Sequence, residues 1–465
     1  MHSAVATFGE YLTGWMEQNG YTPESLGLIM GKNGPNVIAR LMHDRLGYQR
    51  CARFITELSD AIGPLEESIL KAMRECVEVN RYGKALYTAN RDFMRMLKKE
   101  SFPGEAETER LMQTVLDWSE GMKIKVLSMA VTHPCAFHAV SRIYDAKSDV
   151  FITQLMEEEQ IQQLFALMGS ALHLAFRKNY ELYSVKNAAG VMIKNTILIK
   201  REDGRQLLIL LREGGEHRLE LKEDSPLFDF CLSVLKSNDS SAVKINRNIR
   251  SGNPETLEEF LEECFRHEKE QSIYHLKSDI GIEYMPVELL VRKFTAWAKQ
   301  NDERFLPLVG RLEEIFRKRH ENILKKNAPT YLIMSREGML KFVKTGVMYD
   351  QPFCLPPFSP EERWEILRYL SEMARTVPAF SPLFLTEEGV REDYSFIGYG
   401  SGELLVCNST ADYNLSDYTE VILDSKPLME HFAGFFTGIL IKNCATGKKA
   451  ALEYLKYLET QIPSE

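Results

Sequence analysis

The sequence predicts a multidomain chain: an all-α helix-turn-helix N-terminal domain plus a helical connector, followed by an α/β, mixed-sheet body of two similar lobes. Three observations predict it. Residues 1–62 carry short apolar patterns of helical period punctuated by Gly, Pro and Asn. Beyond residue 118 strand-like runs alternate with helical ones. Two distant stretches of the body also echo each other. At 465 residues the chain exceeds what one core organises, and the pattern divides it at 1–62, 63–118, 119–280 and 281–465.

In the first division, Phe8, Leu12, Trp15 and Met16 share one helical face, which Asn19-Gly20 ends. Thr22 stands as N-cap before Pro23 and Glu24, opening a second helix with Leu26, Ile29 and Met30 inward and Gly31 at its close. A third helix starts near Pro35 with Val37, Ile38 and Leu41 inward, and "YQRCARFITELSDAIG" makes a fourth. The stretch 64–99 is helical by period and rich in i, i+4 charge pairs, as expected of a connector or dimerisation arm. Strands are expected over "KIKVLSMAV" and "DVFITQLM", then in a meander whose turns are "DGR" and "GGE". The echo joins "RLELKEDSPLFDFCLSVL" (218–235) to "TEVILDSKPLMEHFAGFF" (419–436). Each follows a Gly-broken hairpin, "LIKREDGRQLLILL" and "YSFIGYGSGELLVCN".

The composition is that of an ordinary globular protein, 44% hydrophobic and 26% charged. A net charge of −9 argues against a surface that coats nucleic acid throughout, since counterion release needs many cations near phosphates. It leaves room for one basic module. The eight cysteines are scattered without a CxxC pair, as expected of reduced thiols in a cytoplasm, and neither a secretory leader nor a membrane span is expected. No cofactor is implied.

Between positions 32 and 53, Lys32, Arg40, Arg45, Arg50 and Arg53 face the single acid Asp44, a local balance of about +4 that screening separates from distant acids. With Val37, Ile38 and Leu41 inward, the third helix presents Asn36, Ala39, Arg40 and His43 outward. Asn suits adenine and Arg suits guanine through paired hydrogen bonds. The stretch "TPESLGLIMGKNGPNVIARLMHD" resembles the XRE family of phage-repressor and Cro-like DNA-binding domains, over about 60 residues. The resemblance implies that Asn36 and Arg40 read bases and that Lys32 and Asn33 meet phosphates. Pro23 near the support-helix start, the "KNGP" turn and the "MHD" ending depart from the family pattern. The expected DNA-contacting set is Lys32, Asn33, Asn36, Arg40, His43 and Arg45.

Other stretches carry reactive residue types. "HPCAFH" brings together His133, Cys135 and His138, but no fourth ligand at a recognisable spacing, so no metal site is expected. "YHLKSD" (274–279) resembles the start of a phospholipase-D-type HxK motif, in which His attacks phosphorus and Lys holds the oxygens. Asp279 stands too close and a second copy is missing, so a loop is expected. "GYGSGE" around Ser401 lacks the Lys-Ser of a phosphate loop and the Gly of a nucleophile elbow, and reads as a hairpin turn. "YDQPFCLPPF" (349–358) packs across a domain edge or walls a ligand pocket.

These readings converge on a cytoplasmic transcriptional regulator and not an enzyme: a homodimer on double-stranded DNA, with a body that senses a small-molecule or peptide effector or mediates assembly. Two alternatives stand beside it. One is an α/β enzyme of unstated reaction on an N-terminal helical scaffold, whose mark is a pocket where residues such as His133, His138, His275 or Asp279 converge. The other is a protein-interaction module without DNA binding.

Overall fold

A computed structural model describes residues 6–463 apart from 32–33, 130–138, 145–149, 186–195, 250–253, 269–270, 326, 349–354, 387–393 and 409–419, and apart from most of 83–104, 159–173 and 211–241. The chain forms two compact units, Met1–Phe93 and Met94–Glu465. The first is helical. The second is an α/β body of two mixed sheets.

The N-terminal unit contains α1 (Phe8–Gln18), α2 (Pro23–Ile29), α3 (Gly34–Met42), α4 (Tyr48–Ile62) and α5 (Glu67–Tyr82). Capping boxes at Thr7 and Thr22 start α1 and α2 by satisfying otherwise orphaned N–H groups. Phe8, Leu12, Trp15 and Met16 are buried as the helical period requires, with Leu26, Ile38, Leu41, Phe54 and Leu58. Helices α2 and α3 approach so closely that a Cβ at Gly34 would run into the Gly27 carbonyl oxygen. That contact turns Leu26 and Gly27 inward, and Ile29, expected in the core, is instead 47% exposed. Helix α5, the start of the expected connector, adds Met73, Cys76 and Val77 to the same core.

The body opens with α6 (Glu105–Trp118). Its first sheet has the order β5-β4-β1-β2-β3-β6, with β1 (Ile124–Met129), β2 (Val150–Glu157), β3 (Tyr180–Val185), β4 (Thr196–Arg201), β5 (Gln206–Leu210) and β6 (Ala242–Lys244). The second has the order β10-β9-β8-β11-β12-β13-β7, with β7 (Asn246–Ile249), β8 (Ile273–Lys277), β9 (Thr330–Met334), β10 (Phe380–Phe384), β11 (Tyr394–Tyr399), β12 (Glu403–Asn408) and β13 (Glu420–Asp424). The sheets share one strand path. Between β6 and β7, Ile245 donates its N–H to the Leu182 carbonyl of one sheet and accepts from Asp424 N–H of the other.

Five strands repeat. In each sheet three parallel strands in sequence (β1-β2-β3; β8-β9-β10) are followed by an antiparallel hairpin (β4-β5; β11-β12) whose first strand lies beside the first of the three. The two hairpins that echo in the sequence occupy the same topological position. The second echo also runs, as expected, from strand β13 through Ser425 as N-cap into a helix, α12 (Lys426–Phe435). Its counterpart at 218–235 lies outside the described residues, Asp229 apart.

Helices cover both faces of the second sheet. Phe396 and Gly398 of β11 meet Phe432 and Met429 of α12. On the other face Ile273, Ile397 and Leu332 share a core with α7 (Pro254–Glu268), α8 (Val287–Asn301) and α9 (Val309–Lys325). Leu355 and Phe358 also enter that core, so the described end of the Pro-rich aromatic stretch packs inside the fold.

Candidate functional site

The HxK stretch expected to be a loop is strand β8, hydrogen-bonded between β9 and β11. Alternation along the strand turns His275 and Lys277 to the helix-covered face, and both are buried, His275 completely. Past the strand end, a single 3-10 turn (Ile282–Tyr284) returns Glu283 to them. Glu283 Oε1 lies 2.8 Å from Lys277 Nζ and 3.1 Å from His275 Nδ1, close contacts without the alignment of full hydrogen bonds. Tyr284 stands edge-on to the imidazole, ring centroids 5.3 Å apart. The turn fits tightly: a Cβ at Gly281 would strike the Glu283 carboxylate and the Lys277 ammonium.

Burial holds His275 neutral by lowering its pKa against the opposing pull of Glu283. Burial alone would raise the Glu283 carboxyl, but the Lys277 ammonium and the His275 contact together keep it well below the usual carboxylate range. The result is a neutral imidazole held on its Nδ1 side by a carboxylate, with Nε2 making no hydrogen bond among the described residues. Chemically, that is a nucleophile or proton acceptor beside a cation.

A second layer surrounds this cluster. Arg319 of α9 and Glu268 of α7 form a buried bidentate pair at 2.7 and 2.5 Å. His320 Nε2 lies 2.9 Å from the Glu283 carbonyl oxygen, while its Nδ1 lies 3.0 Å from the Tyr369 hydroxyl. Tyr369 borders a cleft of about 940 Å³ that Glu288, Trp364, Arg368 and Arg375 also line. This links an open surface to the Glu283 backbone.

The two sheets differ at this place. Ile273 pairs with Tyr399 and Ile124 with Arg201, each strand partner beginning a three-residue hairpin turn. Counting inward, Val126 matches His275 and Ser128 matches Lys277. The matching strand of the first sheet carries no second HxK copy. Glu283 escaped the sequence reading, which sought the carboxylate only at Asp279. Asp279 is buried, and it is the turn geometry that selects the more distant residue.

In the N-terminal unit, Asn36, Ala39 and Arg40 on α3, and His43 and Arg45 just beyond it, are exposed. Lys32 and Asn33 lie outside the described residues. Arg50 is engaged with Glu57 at 2.8 Å, which removes one cation from the expected local surplus. Asp44 Oδ1 accepts from Gly9 N–H (2.9 Å) and Asn80 Nδ2 (2.8 Å), anchoring the end of α3 to α1 and α5. Of the other stretches, Ser401 lies in the β11-β12 turn as expected, and His133, Cys135 and His138 lie outside the described residues. Among the described residues no helix is long and apolar enough to cross a membrane.

No family model matches the chain, and no curated protein matches it. Among solved structures it is similar to a phosphatidylserine synthase of Haemophilus influenzae Rd KW20, at 8% identity and a TM-score of 0.26, over 76% of this chain and 91% of that one. It is also similar to a polyphosphate kinase from Porphyromonas gingivalis, at 11% identity and a TM-score of 0.22, over 76% and 53% of the two chains. Likeness at these scores carries no functional argument.

Proposed function

We propose that the body is an α/β enzyme that acts on phosphorus esters through His275. The observation that carries this reading is the buried imidazole with Nε2 unbonded among the described residues, Nδ1 3.1 Å from Glu283 and Lys277 on the same carboxylate. In the reaction, Nε2 attacks phosphorus and the bond to the leaving oxygen breaks. The leaving oxygen takes a proton from water. Lys277 balances charge on the phosphoryl oxygens and Glu283 the imidazolium. Water then releases the phosphoryl group from nitrogen. His275 has no exposure, so substrate reaches it only when the chain around it moves. A packed polar network with no chemistry is the competing account. Turnover of a chromogenic phosphodiester and an acid-labile phosphorylated intermediate, both lost in His275→Asn, are the expected results; turnover that persists in His275→Asn would rule the reading out.

A second reading concerns the N-terminal unit alone, and the exposure of Asn36, Arg40, His43 and Arg45 favours it. Here α3 enters the major groove of duplex DNA, Asn36 and Arg40 meeting base edges and Arg45 a phosphate. Gel shifts with the protein's own promoter at two salt concentrations test it. Binding should weaken steeply with salt and lose sequence preference in Asn36→Ala and Arg40→Ala; mutants that bind like the parent would end it.

A further inference from the structure

A separate group of ligating side chains lies at the β11-β12 hairpin. Glu263 and His267 stand one turn apart on the same side of α7, and Glu403 opens β12 directly after the Gly400–Gly402 turn. His267 Nδ1 is 2.7 Å from Glu403 Oε2 and 3.3 Å from Ser401 Oγ, while Nε2 is 3.9 Å from Glu263 Oε1. One ligand atom from each of the three residues fits within 4.8 Å of the others. The Glu263, His267 and Glu403 side chains are 16%, 24% and 17% exposed, enough for an ion to enter.

We propose that Glu263, His267 and Glu403 bind a first-row divalent cation of the zinc type, which clamps α7 to the β11-β12 hairpin. Bonds of about 2.0–2.2 Å place neighbouring ligand atoms roughly 3 Å apart, which the His267 and Glu403 atoms already approach. Glu263 approaches the other ring nitrogen, Nε2, at 3.9 Å, and closes on the ion by rotation of its side chain. The donor set of one imidazole and two carboxylates, with no thiolate, suits zinc, cobalt or manganese better than a soft ion. Three further features shape the site. Glu403 Oε2 is shielded from solvent without a well-directed hydrogen bond. Arg247 pairs with Glu263 Oε1, the oxygen that also approaches His267, so the ion must share that oxygen with Arg247 or take Oε2. The His267 ring rests on Tyr399, centroids 5.4 Å apart, which fixes its plane. In the first sheet the position of Glu403 holds Arg205, so the site belongs to one lobe alone.

The test uses the full chain, stripped with a chelator and titrated with Co2+ and then Zn2+. One equivalent should bind with a Co2+ absorption lacking the sulfur charge-transfer band, and the ion should raise the unfolding midpoint. His267→Asn and Glu403→Gln should bind about tenfold more weakly or worse, while Glu259→Gln, an exposed neighbour on α7, binds as the parent does. Far-UV circular dichroism of the stripped variants confirms that each has folded. Absence of a saturable equivalent, a thiolate spectrum, or undiminished binding by both ligand variants would overturn the proposal.

Discussion

His275 and Val126 occupy the same place in the two sheets of the body, two residues inward from the pairs Ile273↔Tyr399 and Ile124↔Arg201. Both are buried, and His275 has a carboxylate and an ammonium beside it. Substituting them separates chemistry from packing. Val126→Ala should cost about 2 kcal/mol of stability through the cavity it leaves, with phosphodiester turnover per folded molecule unchanged. His275→Asn should abolish turnover. Urea unfolding and a rate assay on the same samples read both; equal loss of turnover in the two variants would mean that His275 acts through the fold alone.

The hairpins at 198–211 and 394–408 and the capped helices were legible because each depends on neighbours in sequence, whereas 274–277, expected in a loop, forms strand β8 through partners more than fifty residues away. Thr22 caps Ser25 three residues away, and the hairpin turns need only a local Gly. The site was harder to read for two reasons. Glu283 reaches Lys277 through a turn whose shape depends on Gly281 packing against both side chains, a constraint no periodicity reports. The likeness of the two sheets lies in the order of five strands, and the matching strand carries Val126 and Ser128 where β8 carries His275 and Lys277. Ile29 was misplaced for a related reason: in a seven-residue helix the close approach of Gly27 and Gly34, rather than period, decides which side is buried.

The Arg319–Glu268 pair tests how the polar layer is held. Both side chains are buried and bidentate, so removing one leaves a charge without its partner. Arg319→Met should cost about 3–5 kcal/mol, and Arg319→Met with Glu268→Leu should regain most of that loss. A double variant no more stable than the single one would show that each side chain has a separate role, with the surrounding Cys264 and Tyr399 the first places to look.

In the N-terminal unit the Asp44 carboxylate is the joint between helices. It receives Gly9 N–H at the start of α1 and Asn80 Nδ2 from α5, and Asn80 Oδ1 in turn accepts from Phe8 N–H. A negative charge there also complements the positive end of α1. Asp44→Ala should destabilise the unit by about 2 kcal/mol, the range of hydrogen bonds to a charged group. Because the end of α3 hangs on this joint, the variant should also raise amide exchange over residues 36–43. Exchange confined to α1 would place the joint's effect elsewhere.

Acid should weaken the body from two directions, with separable windows. Burial lowers the pKa of His275, His320 and His431, the last to about 4, so all three are neutral in the folded chain. An unfolded His takes up a proton near its ordinary value of about 6.5, so below that pH the unfolded state binds more protons and stability falls. For His431 at pH 5 the loss is about 2 kcal/mol, from about 1.4 kcal/mol for each pH unit below 6.5. Glu283 works lower: its depressed pKa contributes stability that is complete above the unfolded carboxyl value and disappears only as pH drops through the folded one. Urea unfolding should therefore show a first decline between pH 7 and 5. His431→Gln should flatten that decline by the stated amount, and Glu283→Gln should leave it in place while reducing the loss below pH 4. A parent and His431→Gln that fall in parallel would show that this imidazole is charged inside the fold.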